Sequence, residues 1–241
     1  MVDMKKKVAI AKHRPIAILL DRSKSTSNIR TDLNRIAEEA LEEMKAQAEY
    51  RAITEILAIQ FDTDPEVTAE FVKLENISAH ALTIAQSQHC TDTGRALLLA
   101  LEMLDQKKAE CREAFEEYYQ PICFLITDGK PDPGKGATPE VIRAYEERYA
   151  KAAAEIKKRE KENKLTFVAA GLYVSENQRA SMSKLRELSN YPERIVELNS
   201  KSGGLEDLRE FFKIIVNATS SRPDSTPIDA LVDNSFGGGK F

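Results

Sequence analysis

The stretch Ile16-Ala17-Ile18-Leu19-Leu20-Asp21-Arg22-Ser23-Lys24-Ser25 joins an apolar run to a polar loop. Five consecutive apolar residues that end at an aspartate are typical of a strand buried on both faces of a parallel sheet. From Ile29 to Ala48, apolar residues recur at spacings of three and four, which predicts a long amphipathic helix. This order of strand, loop and helix favours an α/β fold.

The same alternation continues along the chain. Further strands are predicted at 53–61, 67–74, 121–127, 165–171 and 194–198, and further helices at 94–119, 138–164, 178–188 and 205–216. The strand 67–74 follows a four-residue turn and is predicted to be an antiparallel edge partner. We therefore predict a Rossmann-like, doubly wound, mostly parallel sheet with one antiparallel edge strand and helices on both faces.

The predicted domain organisation has three parts. Residues 1–14 form an N-terminal lead, 15–218 the domain, and 219–241 a C-terminal tail. The tail is rich in Ser, Pro, Asp, Asn and Gly, so we expect it to be flexible. Two apolar patches, at 228–232 and at Phe236 with Phe241, leave open that it docks on a partner or on its own domain.

Composition excludes several classes of protein. The 241 residues are 42% hydrophobic and 31% charged, which is ordinary for a globular chain and excludes a wholly disordered one. A net charge of −4 weighs against nucleic-acid binding. No apolar run reaches the ~18 residues of a membrane helix, and we find no signal peptide. With three cysteines in a long chain, a cytoplasmic location is expected.

The chemistry of the chain is concentrated where predicted strands end. Asp21 and Asp128 each follow an apolar strand, Ser23 and Ser25 follow Asp21, and Thr91 precedes a Leu-rich helix. Ligand sites in such sheets lie beyond the carboxyl ends of the strands, at a topological switch point. A compact group of hard oxygen donors suits Mg²⁺ or Mn²⁺. The histidines and cysteines show no zinc-ligand spacing along the sequence.

Three motifs resemble the von Willebrand factor type A (VWA) family. Asp21–Ser25 matches its Asp-x-Ser-x-Ser motif, Thr91–Leu97 its Thr-x-x-Gly-x-Ala-Leu segment, and Phe124–Pro131 the strand that ends in Thr-Asp-Gly. They occur in the family's order, each beside a predicted strand or helix. The resemblance covers roughly residues 15 to 217 and implies the VWA fold.

The resemblance implies a metal-ion-dependent adhesion site. Ser23 and Ser25 would ligate the ion through their hydroxyls, and Thr91 directly or through water. Asp21 and Asp128 would act mainly through water. One coordination position would stay open for the Glu or Asp carboxylate of a protein partner.

The sequence departs from the family pattern near this site. Arg22 and Lys24 stand where small residues are common, and His89-Cys90 replaces a frequent Gly-Gly pair. We predict a cationic rim, formed by Arg22, Lys24 and Lys130, that attracts an acidic partner. The alternative is that these side chains are solvated and bind no partner. We interpret Cys90 as a small filler rather than a reactive thiol, and Cys123 as a core residue.

The chain further resembles small, stand-alone bacterial VWA proteins of the tellurium-resistance and stress-response type. That resemblance implies a non-enzymatic adaptor or scaffold with protein phosphatases or kinases among its partners. Two alternatives remain. A metal-assisted phosphohydrolase would use Asp21 as nucleophile, but it needs a second Asp where Ser23 stands. A VWA subunit of a chelatase-like AAA ATPase machine usually carries additional domains.

Overall fold

The computed structural model describes residues 12–46, 52–85, 90–129, 131–173, 182–199, 204–220 and 228–236. Within these ranges, one sheet contains seven strands: β1 (Lys12–Asp21), β2 (Thr54–Phe61), β3 (Pro65–Lys73), β4 (Glu117–Tyr118), β5 (Ile122–Thr127), β6 (Thr166–Tyr173) and β7 (Ile195–Asn199). The described α-helices are α1 (Arg30–Ala46), α2 (Thr93–Glu113), α3 (Pro139–Lys161), α4 (Ser183–Arg186), α5 (Gly204–Ser220) and α6 (Ile228–Phe236).

The strand order is β3-β2-β1-β5-β6-β7, and the short β4 pairs with the start of β1. Only the β2–β3 pair is antiparallel among the strand pairs described. From β1 the chain builds the sheet first towards β3 and later, from β5, towards β7. The topological switch point therefore lies between β1 and β5. The predicted fold class is confirmed.

Two hydrophobic cores lie on opposite faces of the sheet. Ile16, Ile18 and Leu20 face the core that contains α1, α5 and α6. Ala17 and Leu19 face the core that contains α2, α3 and α4. All five side chains are fully buried, because successive residues of a strand point to opposite faces. This explains why β1 reads as an uninterrupted apolar run.

The structure differs from the predicted elements in two places. The helix predicted over 94–119 ends at Glu113, and Glu117–Tyr118 forms β4 beside the first residues of β1. β1 itself begins at Lys12, inside the segment 1–14 that we assigned to a lead. A two-residue strand carries no periodic pattern, so the sequence could not reveal it.

The C-terminal segment also differs from the expectation. Residues 228–236 form α6, in which Val232 is 2% exposed and packs in the core with α1 and α5. Asp229 accepts a hydrogen bond of 2.5 Å from Arg194. The assignment of all of 219–241 to a flexible tail was therefore wrong for this helix. Residues 221–227 and 237–241 lie outside the described residues, and the domain bounds 15–218 stay a prediction.

None of the helices in the described ranges combines the length and the apolar character that crossing a bilayer requires.

Gly94 lies at the close contact between α2 and α3. A Cβ atom there would lie 2.5 Å from the backbone nitrogen of Tyr149 and 2.6 Å from the carbonyl carbon of Arg148. We expect Gly94→Ala to lower the free energy of unfolding by about 1–3 kcal/mol, because backbone atoms cannot rotate away as a side chain can. Urea denaturation measures the loss. Gly129→Ala is the matched control, since a Cβ at Gly129 would meet no atom of the described residues within 4 Å. Equal stability of the two variants would contradict the close contact.

Candidate metal centre

The carboxyl ends of β1 and β5 bring two aspartates together. The strands pair in parallel with Leu20 opposite Ile126, so Asp21 ends β1 beside Thr127 and Asp128 follows directly. Asp21 is 1% exposed and Asp128 is 9% exposed. Two buried carboxyl groups therefore lie at the switch point of the sheet, where the sequence placed them.

Asp21 shapes the loop that follows it. One oxygen of its carboxylate accepts the backbone N–H of Ser23 at 2.8 Å, and the other accepts the Thr127 hydroxyl at 2.6 Å. The hydroxyl oxygens of Ser23 and Ser25 lie 3.0 Å apart. Ser23 is buried and Ser25 is exposed, so the donor pair opens to solvent on one side.

The negative charge of Asp128 is only partly compensated. Its Oδ2 atom is buried and has no hydrogen-bond partner within the described ranges. Burial and the neighbouring Asp21 carboxylate raise the pKa of Asp128 to about 7, and a hydrogen bond from Ser25 offsets part of that rise. Burial also raises the pKa of Asp21, against the hydrogen bonds from Thr127 and Ser23. A cation between these groups would relieve both penalties.

Thr91 is fastened to the same edge of the sheet. Its backbone N–H and C=O each pair with Asp132 at 2.9 Å, in the loop after Asp128. The next N–H, of Asp92, donates to the carbonyl of Asp62 at the end of β2 at 2.8 Å. Asp132 also raises the pKa of Asp128, which places the two carboxylates within electrostatic reach. The structure therefore joins the Thr91 loop to the loops that carry Asp21 and Asp128.

The sequence did not reveal three residues that position the loops of this site. Thr127 holds Asp21 as described above. Asp92 is the N-cap of α2 and accepts the Arg95 N–H at 3.0 Å. Its other carboxylate oxygen accepts Arg148 Nε at 2.8 Å and Nη2 at 2.5 Å, which ties the Thr91 loop to α3. An N-cap aspartate before a helix could have been found from the sequence, whereas nothing in the sequence marks Arg148.

The predicted cationic rim is only partly available to a partner. Arg22 has a side chain 18% exposed, with Nε 3.3 Å from Asp62 and Nη1 2.5 Å from Glu66. The Arg22 charge is therefore neutralised by ion pairs within the chain, and Arg22 is less available to an acidic partner than we predicted. Lys24 is exposed and can meet a partner, while Lys130 lies outside the described residues.

The cysteines near the site lie where their predicted structural roles would place them. Cys90 is half-buried, and a Cβ at Gly134 would lie 2.5 Å from its Sγ. Gly134 also has a φ of +87°, a backbone conformation that favours glycine. The thiol thus fills the space that a side chain at 134 would need. Cys123 is fully buried in β5, as predicted.

Together, these loops define an open α/β sheet with hard oxygen donors at its switch point. Two carboxyl groups, two serine hydroxyls and a threonine are a donor set that can hold a small divalent cation. The sequence profile of the von Willebrand factor type A domain matches residues 16–214, and the chain belongs to this family. The predicted VWA domain is confirmed.

Solved structures show the same fold at low sequence identity. The vWF domain of the pili tip protein Mfa5 from Porphyromonas gingivalis is 12% identical, with a TM-score of 0.63 over 90% of this chain and 99% of that one. The pilus adhesin SpaC from Lactobacillus rhamnosus GG is 14% identical (TM-score 0.62), and the mussel byssus protein PTMP1 is 15% identical (TM-score 0.54). Those matches cover 86% and 87% of this chain, which spans only 30% of SpaC and 47% of PTMP1. Comparison with curated protein sequences found no match.

Proposed function

We propose that the chain is a metal-dependent protein-interaction module. The observation that carries the proposal is the buried, unpaired Oδ2 atom of Asp128 beside Asp21 and the hydroxyl of the exposed Ser25. Such a site is unfavourable when empty and favourable around a cation. Membership of the VWA family supports the same function.

The residues would divide the work of binding Mg²⁺ or Mn²⁺. Ser23, Ser25 and Thr91 would supply neutral oxygen ligands, and the carboxylates of Asp21 and Asp128 would act through water. Neutral ligands leave the bound ion strongly electrophilic. It would therefore favour an anionic group from outside the chain, and we propose the carboxylate of a partner's Asp or Glu.

The surface beside the site suits a protein partner. A groove of about 950 Å³ begins at the loop 131–134, next to Thr91, and continues along α3. Its walls include the apolar faces of Ile142, Tyr145 and Tyr149. A partner segment with an acidic residue between apolar side chains would place its carboxylate at the metal ion and its apolar side chains in this groove. The exposed Lys24 would attract the acidic segment electrostatically.

The finer role follows from the sequence resemblance alone. We propose an adaptor in a bacterial stress or tellurium-resistance system, located in the cytoplasm, with protein phosphatases or kinases among its partners. The chain spans less than half of SpaC and of PTMP1, so the functions of those proteins do not support or oppose the adaptor role.

Partner binding should require the ion. We expect a partner captured from the native cell to bind at least tenfold more tightly in Mg²⁺ than in EDTA at matched ionic strength, with the domain folded in both. Ser23→Ala should lose this difference. Asp64→Ala is the matched control, since Asp64 follows the neighbouring strand β2 but its side chain is 70% exposed and pairs with Arg95. Equal affinity in Mg²⁺ and EDTA would overturn the proposal.

The phosphohydrolase alternative makes the opposite prediction. It requires turnover of a generic phosphate ester by the purified chain in Mg²⁺, lost in Asp21→Asn. Such turnover would replace the interaction module with an enzyme, whereas its absence, together with metal-dependent capture, supports the module.

A further inference from the structure

A second group of ligand-type side chains lies at the other end of β1. His13 stands near the start of this strand, eight residues before Asp21 and about 26 Å away at ~3.3 Å per residue. One ligand atom each from His13, Cys111 and Glu116 lies within 4.8 Å of the others. Cys111 is a free cysteine and only 2% exposed. None of these residues takes part in the candidate metal centre.

The end of α2 brings Cys111 and Glu116 together. The N–H of Glu116 donates to the carbonyl of Cys111 at 2.8 Å, and the N–H of Phe115 donates to that of Arg112 at 3.2 Å. This pair of bonds is a Schellman motif, which turns the chain back over the last helical turn. Phe115 takes the left-handed position with a φ of +58°, where glycine is usual. The chain thus holds Glu116 against Cys111 despite a local cost of about 1 kcal/mol.

The two ring nitrogens of His13 have different environments. Nδ1 lies 2.9 Å from Glu55, which is itself held by Lys107 at 3.1 Å, while Nε2 lies 2.7 Å from Glu116. Histidines that ligate metals typically donate the N–H of the other ring nitrogen to a carboxylate, which orients the ring. Glu55 is in position to play that part at Nδ1, which leaves Nε2 on the side of Glu116.

An imidazolium between two carboxylates would account for His13, Glu55 and Glu116. It gives no reason for a buried thiol at the same point, since a thiol is a poor partner for a positive charge until it ionises. A metal ion accounts for all of these groups. Tetrahedral zinc sites have bonds of about 2.0–2.3 Å, which place ligand atoms roughly 3.3–3.8 Å apart. To admit an ion, the direct His13–Glu116 contact of 2.7 Å would have to open by about 0.6 Å, and ligand atoms as far apart as 4.8 Å would have to approach by about 1 Å.

We propose that His13 Nε2, Cys111 Sγ and the Glu116 carboxylate bind a zinc ion, with Glu55 orienting His13. The ligands are an imidazole, a thiolate and a carboxylate, a set that suits zinc and disfavours Mg²⁺. Three protein ligands leave a fourth position for water, on the side where Glu116 is 33% exposed. The ion would tie the end of α2 to β1. Sequence spacing did not reveal the site because its ligands come from distant parts of the chain.

Cobalt substitution tests this site on the full chain. One equivalent of Co²⁺ should produce the near-ultraviolet charge-transfer band of a thiolate ligand, and a slight excess of Zn²⁺ should bleach it while millimolar Mg²⁺ should not. Cys111→Ser should abolish the band. Cys90→Ser is the matched control and should keep it, because Cys90 belongs to the loop before α2 at the other end of the sheet.

Two further variants keep the test decisive. Glu116→Gln, at a partly exposed position, should keep the fold and bind zinc at least tenfold more weakly, even where Cys111→Ser fails to fold. Ser23→Ala should bind zinc as the wild type does, which separates this site from the candidate metal centre. The absence of a thiolate band in the wild type, or its persistence in Cys111→Ser, would overturn the proposal.

Discussion

Replacing Asp21 with alanine should weaken Mg²⁺ binding by about 10- to 100-fold, the loss typical of residues that orient metal ligands. Asp21 receives the N–H of Ser23 and the hydroxyl of Thr127, so its removal frees the loop that carries both serine ligands. It also removes one of two buried negative charges that would attract the cation. Isothermal titration calorimetry of metal-free protein measures the affinity directly.

The matched control for Asp21→Ala is Asp64→Ala. Both substitutions remove a carboxylate near the ends of adjacent strands, but Asp64 is exposed and pairs with Arg95. Its loss should change Mg²⁺ affinity by less than about twofold, because exposed charges are screened by salt and water. Equal losses in the two variants would mean that the ion responds to the general negative field of this edge and not to the described donors.

Thr127 offers a separate check on the role of Asp21. Thr127→Val keeps the shape and charge of the site but removes the hydroxyl that donates to Asp21 at 2.6 Å. Thr127 is fully buried at the end of β5 and is not one of the proposed metal ligands. A loss of Mg²⁺ affinity in Thr127→Val would therefore show that the orientation of Asp21, beyond its charge, supports binding.

Much of the fold follows from two sequence patterns. Continuous apolar runs such as 16–20 and 122–126 indicate strands buried on both faces, and both lie at the centre of the sheet. Spacings of three and four indicate the helices that cover it. The antiparallel β3 was also recognisable, since a tight turn joins it to β2. These features are local, so a single sequence is enough to read them.

The elements that were missed depend on distant contacts. β4 is a strand only because Glu117 and Tyr118 lie beside Lys12 and His13. α6 does carry apolar residues, but the polar sequence around it hid them, and its place depends on the core formed with α5 and on Arg194. Composition around it is typical of a flexible segment, and that local signal was misleading.

For the two sites as well, local sequence features could be predicted and contacts between distant parts of the chain could not. Asp21 and Asp128 could be placed at one edge because both end strands of a parallel sheet. The pairing of Asp92 with Arg148 and the convergence of His13, Cys111 and Glu116 could not be predicted, since each joins elements whose relative position only the folded chain defines. The engagement of Arg22 by Asp62 and Glu66 belongs to the same class.

The metal-free domain should lose stability as pH rises through the titration of Asp128. Its pKa is about 7 in the folded state and near 3.8 in the unfolded chain, so the folded state holds the extra proton between these values. Folding is therefore favoured at the acidic end of this window, and the free energy of unfolding falls as pH rises from about 4 to about 7. Above that range the contribution of Asp128 is constant, because both states are ionised.

Asp128→Asn should remove the contribution of Asp128 to this pH dependence, since the amide stays neutral, while the buried Asp21 keeps its own. In EDTA we expect the variant to exceed the wild type by about 1–3 kcal/mol at pH 8 and to approach it near pH 4. Urea unfolding at several pH values measures the difference in the free energy of unfolding. Glu102→Gln, which removes an exposed carboxyl on α2, is the control and should keep the wild-type profile.

Saturating Mg²⁺ should stabilise the wild type at pH 8, because the cation offsets the negative charge that destabilises it. Parallel profiles for the wild type and Asp128→Asn in EDTA would show that Asp128 is already ionised at acidic pH, and would remove the electrostatic reason for a cation at this edge of the sheet.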